Sequence, residues 1–456
     1  MKLFAALTIL VSLIFSPLLL SQELPLEVGV ANVDITPPIG VPLAGFGGPG
    51  RRQSGLLDWG DKCKYCVFLN PSIGKIDPIR SKVMLLKRGN RKLLFMSLDL
   101  VGITDEFIRD LAKKIKHFGI RKEDIIISAT HTHSGPGTLS KRFALALIAA
   151  DLYKKEIYLS VRSKIIESIY TANQRLELAD LYKFKFTAYG IQKNRRKKIG
   201  HFDPETNILL AKNRHGEWLG GMVNLAVHGT SLGSKNLKYS ADFPGAIEHA
   251  VEGRLKDVNL TALAAAPTIL FMNGAEGDVK PKHGGLEGMA NLSQKFADQF
   301  MENLDKASYV TPNWTTRKKK LFVGIPHVNL RACTKGKLRK FIWSKINIPL
   351  GTLLPWTSTI SLIEIGGAKD LITMMTWPGE ATTSLSFELK DLAKKLGRNN
   401  PWFIGLANDY MAYFTNKAEF KEGTYEACSS MYGYKGARRI IKKHKKLLME
   451  ASLPSN

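Results

Sequence analysis

Long apolar runs are absent from this 456-residue chain beyond its first twenty residues. No later segment approaches the roughly 20 uninterrupted apolar residues that a membrane-spanning helix needs, which excludes further spans. The sequence also lacks internal repeats and low-complexity linkers, so nothing in it divides the body into independent modules. Its hydrophobic content of 44% is normal for a globular core and argues against disorder.

The apolar stretch that the chain does have lies at its N-terminus, over Leu3–Leu20, and it is broken by Pro17. We predict a secretory signal peptide over residues 1–21, one large domain over residues 22–456, and export to the periplasm or the exterior. An uncleaved membrane anchor is the alternative, because Leu19 is a poor fit to the small-residue pattern before the cleavage site. No cysteine follows that site, so a lipoprotein anchor is not expected.

Cysteine is scarce, with four residues in the chain: Cys63, Cys66, Cys333 and Cys428. Cys63-Lys-Tyr-Cys66 has the spacing of a zinc knuckle, but the other two are scattered and form no second close pair. This argues against a four-cysteine zinc site. A local disulfide and free buried thiols both remain open.

Acidic residues are also few, 40 against 66 Lys and Arg, and the net charge is +26. An exported protein this basic is expected to be drawn to an anionic membrane surface of phospholipid or envelope glycolipid. No nucleic-acid partner is expected, because no helix-turn-helix, zinc-finger or aromatic RNA-binding signature accompanies the charge. A solvated lysine-rich face is the plain alternative, and nothing in the sequence indicates the oligomeric state. The excess of Lys and Arg over acidic residues lies in runs at 193–198, 317–320, 335–340 and 438–446.

The periodicity of the chain alternates between strand and helix. An apolar run at 92–100 is followed by an amphipathic segment at 104–116 and then by Asp124-Ile-Ile-Ile-Ser128. This rhythm predicts an α/β fold with a mixed β-sheet core, flanking helices and an active site at the C-terminal ends of strands. A basic amphipathic helix at 437–450 would rest on a membrane or pack on the domain.

Five apolar runs end at residues that can carry chemistry. Convergence of such strand ends on one rim forms a pocket with mixed ligands. The five ends contain His131, His228, Asp278, Glu380 and Tyr410. The first of these ends also contains His133, and two histidines at i and i+2 on an extended chain point to opposite faces. At most one of them faces a given ion unless the chain turns there, as Gly135-Pro136-Gly137 suggests.

Six motifs are spread along nearly the whole mature chain. They are Ala31-Asn-Val-Asp-Ile-Thr-Pro-Pro38, Ala129-Thr-His-Thr-His-Ser-Gly-Pro-Gly137, Ala226-Val-His-Gly-Thr-Ser231, Asn273 to Pro281, Trp377-Pro-Gly-Glu380, and Gly405-Leu-Ala-Asn-Asp-Tyr410 through Tyr425-Glu426. In sequence and order these motifs resemble the neutral/alkaline (non-lysosomal) ceramidase family. Members of that family are zinc-dependent amide hydrolases that cut ceramide into sphingosine and a fatty acid. The resemblance therefore implies Zn²⁺ as the cofactor and a lipid amide as the substrate.

The resemblance also implies roles for individual residues. The ligands of the Zn²⁺ would be His131, His228, Glu380 and Tyr410, with Tyr413 as the alternative to Tyr410. Four N and O ligands with an exchangeable position suit a zinc ion that activates water. The catalytic residues would be His133 as the proton shuttle, Arg195 as the oxyanion stabiliser, Asp278 as a residue that orients the site or holds its turn, and Lys280.

Two departures from the family pattern concern substrate and mechanism. Typical ceramidases read Gly-Asp-Val-Ser-Pro where this chain has Lys280 in place of the Ser. Lys280 would stand near the reacting carbonyl, bind an acidic group of another substrate, or face solvent. The sequence ends at Asn456 without the C-terminal immunoglobulin-like domain of typical members.

The sequence thus predicts an exported zinc-dependent hydrolase of an N-acyl amide bond, in ceramide or a related N-acyl lipid. One alternative is an amidase or esterase of the same superfamily that acts on another envelope substrate. The other is a catalytically silent cationic protein that binds lipid.

Overall fold

The computed structural model describes residues 24–53, 63–196, 200–259, 266–334, 346–423 and 425–451. The predicted signal peptide and the basic run at 335–340 lie outside these ranges, as does the end of the run at 193–198. None of the helices within the described ranges is both long and apolar enough to span a bilayer.

Twenty-one strands are described. They are β1 (Leu26–Asp34), β2 (Gly74–Lys75), β3 (Arg80–Arg88), β4 (Arg91–Leu98), β5 (Ile125–Ala129), β6 (Glu177–Thr187), β7 (Gln192–Asn194), β8 (Glu205–Asn213), β9 (Trp218–Leu225), β10 (Lys238–Tyr239), β11 (Thr268–Asn273), β12 (Val279–Pro281), β13 (Ser308–Val310), β14 (Trp314–Phe322), β15 (His327–Asn329), β16 (Asn347–Pro349), β17 (Thr357–Ile365), β18 (Ile372–Thr376), β19 (Glu380–Ala381), β20 (Pro401–Ile404) and β21 (Tyr413–Phe414).

Ten α-helices are described in the same ranges. They are α1 (Asp105–Lys114), α2 (Phe143–Leu145), α3 (Lys155–Gln174), α4 (Asp242–Val258), α5 (Gly285–Met301), α6 (Leu330–Cys333), α7 (Thr383–Lys395), α8 (Lys417–Glu422), α9 (Tyr425–Cys428) and α10 (Gly433–Glu450). A single π turn over Ala146–Ala150 continues α2.

The largest sheet has the strand order β11-β9-β8-β6-β1-β3-β4-β5, with β13 paired to β6. Its end pairs, β9 with β11 and β4 with β5, are parallel, and the pairs between them are antiparallel. Its two halves are joined by only two residue pairs between β1 and β6. Adjacent strands in a sheet are rotated by roughly 20–25° relative to each other, so the twist accumulated over seven steps turns the two ends of the sheet far out of one plane. The two halves can therefore curve toward each other. The hydroxyl of Ser97 on β4 donates to the carbonyl of Phe271 on β11 (2.8 Å), which shows that they do.

A second sheet, β14-β17-β18-β20, closes the third side of the core, and its last pair is parallel. Alternate residues of all three sheet portions point into one inner cluster, which includes Phe95, Leu270 and Trp402. The remaining residues point outward under helices. The helices α1 and α3 cover the half of the large sheet formed by β1, β3, β4 and β5, which we call the first half. The helices α4 and α5 cover the second half, formed by β6, β8, β9 and β11, and α7 and α10 cover the smaller sheet.

These observations confirm the predicted α/β class with a mixed sheet and flanking helices. The predicted helix at 104–116 is α1, and the Thr104 hydroxyl caps it by accepting from the amide of Phe107. The predicted basic helix at 437–450 is part of α10, and its apolar residues Ile440 and Leu447 are buried against the smaller sheet. Of the two predicted alternatives, the structure shows this helix packing its apolar face on the domain.

All four cysteines are paired, as Cys63–Cys66 and Cys333–Cys428. The first pair is the local disulfide that the spacing left open. The second joins α6 to α9 across 95 residues of sequence.

Replacing both Cys333 and Cys428 by Ala should lower the free energy of unfolding more than replacing both Cys63 and Cys66 by Ala. The two bridges span sequence separations of 95 and 3, and a longer loop gains more chain entropy in the unfolded state when its cross-link is removed. We expect a loss of about 2–4 kcal/mol for the long-range pair, measured by urea unfolding without reductant. Equal losses for the two double variants would contradict this.

Candidate active site

The first histidine motif leaves β5 through a sharp turn. His131 has a φ of 62°, in the left-handed region, and its amide donates to the carbonyl of Leu100 (3.0 Å). This turn brings the Nε2 atoms of His131 and His133 within 3.2 Å of each other. Both imidazoles therefore face one centre, which the sequence permitted only if the chain turned.

His228 reaches the same centre from the end of β9. A parallel bridge between Thr132 and Gly229 joins the two histidine loops, and the rings of His131 and His228 lie 4.8 Å apart. A side chain at Gly229 would come within 2.8 Å of the carbonyl oxygen of His131, so glycine permits this close approach.

Glu380 comes from the smaller sheet. It opens β19, just after β18, and its Oε2 lies 3.2 Å from Nε2 of His131 and 3.1 Å from Nε2 of His228. Its other oxygen, Oε1, accepts from the hydroxyl of Tyr410 (2.6 Å). All three converging side chains are at most 1% exposed.

The tautomers of the two histidines show that this cluster suits a cation. Nδ1 of His131 donates to the carbonyl of Val101, and Nδ1 of His228 donates to the carbonyl of Glu276 (2.7 Å). A neutral imidazole that donates through Nδ1 carries its lone pair on Nε2. Two lone pairs and one carboxylate oxygen then face each other in a buried space, an arrangement that a metal ion satisfies.

Charge and burial act on the same groups. Burial, followed by the charge of Arg195, lowers the pKa of His228 to about 4, so its ring is neutral at pH 7. Burial alone would raise the pKa of Glu380, but the His131 and His228 imidazoles outweigh it and hold that pKa well below its usual value. Glu380 is therefore an anion whose carboxylate faces the ring nitrogens of His131 and His228.

Tyr413 and Arg195 lie beside His228. The hydroxyl of Tyr413 is 3.2 Å from Nε2 of His228 and accepts from Nη2 of Arg195 (3.0 Å). Arg195 also donates from Nε to Glu426 (2.8 Å) and from Nη2 to the carbonyl of Gly277 (2.6 Å). Its Nη1 also lies 3.5 Å from Nε2 of His228, so the guanidinium holds Tyr413 against the histidine and contacts four groups.

His133 is 8% exposed and has a different environment from the other two histidines. Its Nδ1 has no hydrogen-bond partner among the described residues, and Phe46 packs edge-on against its ring at 4.5 Å. A side chain at Gly45 would meet that ring at 2.4 Å. Burial, together with the neighbouring His131 and His228, lowers the pKa of His133 well below its usual value.

An apolar cavity of about 920 Å³, including its open mouth, leads to this centre. His131, His133, Glu380, Tyr410 and Tyr413 are at its base. The rest of the lining is mostly apolar and includes Leu100, Val101, Pro136, Leu139, Leu145, Ile148, Ala149, Ala412, Tyr425 and Met431.

Comparison with known proteins agrees with this geometry. Residues 77–294 match the model of the N-terminal part of the neutral/alkaline non-lysosomal ceramidases. The neutral ceramidase of Pseudomonas aeruginosa is 24% identical over 500 residues, which cover 91% of this chain and 70% of the relative. Residues 77–294 thus belong to the neutral/alkaline non-lysosomal ceramidase family. This match and the similar neutral ceramidases indicate a hydrolase.

A more distant relative and the solved structures extend this result. Neutral ceramidase A of Dictyostelium discoideum is 21% identical over 284 residues, or 58% of this chain, and only 37% of that relative is covered. The crystal structure of the Pseudomonas aeruginosa neutral ceramidase matches with a TM-score of 0.76 at 17% identity, over 95% of this chain and 76% of the other. A ceramidase complexed with C2 matches with the same TM-score of 0.76.

Two residues of the ceramidase-like Gly277–Pro281 segment lie apart from the centre. Lys280 is exposed, because neighbouring residues of β12 point to opposite sides and Val279 and Pro281 are buried. It pairs in register with Lys193 of β7 and is not among the residues that line the cavity. Of the three placements that the sequence left open for Lys280, the structure shows the solvent-facing one.

Asp278 is fully buried and holds a turn. Its Oδ1 accepts from the amide (2.9 Å) and the hydroxyl (2.8 Å) of Thr383, at the start of α7, and its Oδ2 accepts from Asn194 (2.9 Å). These bonds fix the loop whose carbonyls anchor His228 and Arg195. Asp278 therefore acts on the centre through the backbone, in line with the turn-holding role that the sequence allowed.

Three groups at the site were given no role from the sequence. Glu426 was part of a recognised motif, and it binds Arg195. Tyr425 lines the cavity but is 62% exposed. Glu276 stood in the predicted strand-end cluster at 273–278, where a carboxylate after a buried strand is a signal that could have been followed.

Proposed function

We propose that the protein is an exported, zinc-dependent hydrolase that cleaves the N-acyl amide bond of ceramide or a related N-acyl lipid. The observation that carries this proposal is the convergence of Nε2 of His131, Nε2 of His228 and Oε2 of Glu380 at the base of an apolar cavity. Two imidazoles and a carboxylate are a typical donor set of catalytic zinc sites. A zinc ion held there would supply a Lewis acid that polarises a carbonyl and lowers the pKa of a water molecule.

Tyr413, rather than Tyr410, is the tyrosine that fits the fourth ligand position. The hydroxyl of Tyr410 donates to Oε1 of Glu380, on the side away from the two histidines, whereas the hydroxyl of Tyr413 lies against Nε2 of His228. Burial raises the pKa of Tyr413 well above its usual value, and Arg195, which donates to that hydroxyl, opposes this rise, as a bound cation would. Tyr410 would then orient Glu380, and His131, His228, Glu380 and Tyr413 would hold the ion.

The other residues bind the substrate and move protons. His133 is neutral at pH 7, and its imidazole would accept a proton from the attacking water and pass it to the leaving amine nitrogen. Its edge contact with Phe46 fixes the ring for that transfer. The apolar lining of the cavity would bind the hydrocarbon of a lipid amide and exclude water.

Two further observations support the setting of this activity. The two disulfides suit an oxidising compartment, which agrees with export. Phe143, Leu147 and Ile148, on the helical segment at the cavity, are 44–49% exposed. Together with the net charge of +26, they favour contact with an anionic membrane surface from which a lipid could enter.

Purified protein should contain about one Zn²⁺ per chain and release fatty acid from a fluorescent short-chain ceramide. His131→Ala should lose both properties, because it removes one of two nitrogen ligands, while His215→Ala, at an exposed position, should keep both. Metal analysis and chromatography of the products give the two readouts. Zinc without ceramide cleavage would indicate another amide or ester substrate, and absence of zinc would favour the silent lipid-binding protein.

Tyr413→Phe should weaken Zn²⁺ binding by about 100-fold, and Tyr410→Phe by about tenfold. The first removes a ligand, whereas the second removes a hydrogen bond to a ligand, which typically costs about 10–100-fold in affinity. Competition with a chromogenic chelator measures both values. The reverse order would assign the ligand position to Tyr410.

Phe143→Ser combined with Leu147→Ser should weaken binding to vesicles of anionic phospholipid by roughly tenfold, because two apolar side chains no longer insert. Neither residue lines the cavity, so hydrolysis of a dispersed short-chain substrate should be retained. Tyr189→Ser with Leu286→Ser, at positions 70% and 54% exposed, is the matched control. Equal vesicle binding by both double variants in a sedimentation assay would contradict this membrane contact.

A further inference from the structure

Glu276 carries a buried carboxyl group that the mechanism above does not use. It follows β11, is 0% exposed, and neither of its carboxyl oxygens has a hydrogen-bond partner among the described residues. Burial of a charged group without a partner is costly, so such groups are normally paired or bind metal ions. The backbone of Glu276 is already tied to the centre, because its carbonyl accepts from Nδ1 of His228.

The side chain of Glu276 also points toward the centre. One of its oxygens, an oxygen of Glu380 and a ring nitrogen of His131 all lie within 4.8 Å of one another. Three donor atoms at this spacing can contact one ion after small side-chain rotations. Glu276 does not line the cavity, so it is not placed to touch a substrate.

The nearby cation is already engaged by other groups. Arg195 binds Tyr413, Glu426 and the carbonyl of Gly277, and no bond joins its guanidinium to Glu276. Two buried carboxylates at this separation repel each other unless a positive charge lies between them. A divalent cation at the centre removes that repulsion and gives the unpartnered oxygens of Glu276 a ligand.

We propose that Glu276 is a further carboxylate ligand of the divalent cation held by His131, His228 and Glu380. This inference rests on the proposed metal centre and extends its donor set to two carboxylates. The centre then has more negative charge than a set of two histidines, one glutamate and one tyrosine.

Zn²⁺ titration of the metal-stripped full chain tests this inference, with a chromogenic chelator as competitor. Glu276→Gln keeps the shape of the side chain and removes its charge, and we expect its Kd for Zn²⁺ to rise by at least tenfold. Glu364→Gln changes another buried glutamate, which pairs with Arg398 (3.2 Å) and is in neither the cavity nor the ligand cluster, and its Kd should match that of the wild type.

A thermal readout separates coordination from a merely structural role. Without metal, Glu276→Gln should melt at or above the wild-type Tm, because it replaces a buried carboxyl group that has no hydrogen-bond partner, and the rise in Tm on adding Zn²⁺ should be smaller than in the wild type. A lower metal-free Tm with an unchanged Kd would overturn the inference. If Glu276→Gln does not fold, Glu276→Asp, which retracts the carboxylate, is titrated instead, and a wild-type Kd for it would overturn the inference equally. Failure of the wild type to bind Zn²⁺ would instead refute the proposed function.

Discussion

The arrangement on which the site depends is the convergence of two imidazole Nε2 atoms and one carboxylate oxygen on a single buried point. Oε2 of Glu380 faces Nε2 of His131 and Nε2 of His228, and each imidazole has its proton committed to a backbone carbonyl on the other side. Since these carbonyls belong to fixed loops after strands, neither ring can turn over without losing a buried hydrogen bond. The backbone thus determines the tautomers, and these tautomers leave the Nε2 lone pairs directed at the carboxylate, an arrangement that suits a cation.

The three groups come from three different parts of the sheet system. His131 follows β5 at one end of the large sheet, His228 follows β9 near its other end, and Glu380 follows β18 of the smaller sheet. Their separation is therefore set by the inner core that all three sheet portions share, with Phe95, Leu270 and Trp402 among its residues. A change of packing in this core would shift one donor relative to the others.

The sequence could predict the parts of the site that depend on local patterns. An apolar β-branched run that stops at a polar residue identifies a strand end, and this is how His131, His228 and Glu380 were found. It could not decide between Tyr410 and Tyr413. The residues Asn408 and Ala412 both have left-handed φ values, of 63° and 58°, and these turns decide which hydroxyl meets the histidines.

The exposure of Lys280 and the pairing of Cys333 with Cys428 could not be predicted from the sequence for a related reason. The side on which Lys280 lies is set by the pairing of β12 with β7, which are separated by more than 80 residues. The bridge between α6 and α9 likewise depends on where two distant helices pack. Long-range pairing leaves no signal in local spacing, so one sequence with no alignment does not reveal it.

The proposed metal centre would couple metal binding to the fold, because its candidate ligands come from three sheet portions. In the unfolded chain His131, His228 and Glu380 are separated by up to 249 residues, so they form a site only after the inner core has packed. An ion that bound only the folded state would add its binding free energy to stability and would link the strand ends of the three portions directly. The buried acceptors that make the centre costly without an ion would then be the same groups that make it stabilising with one.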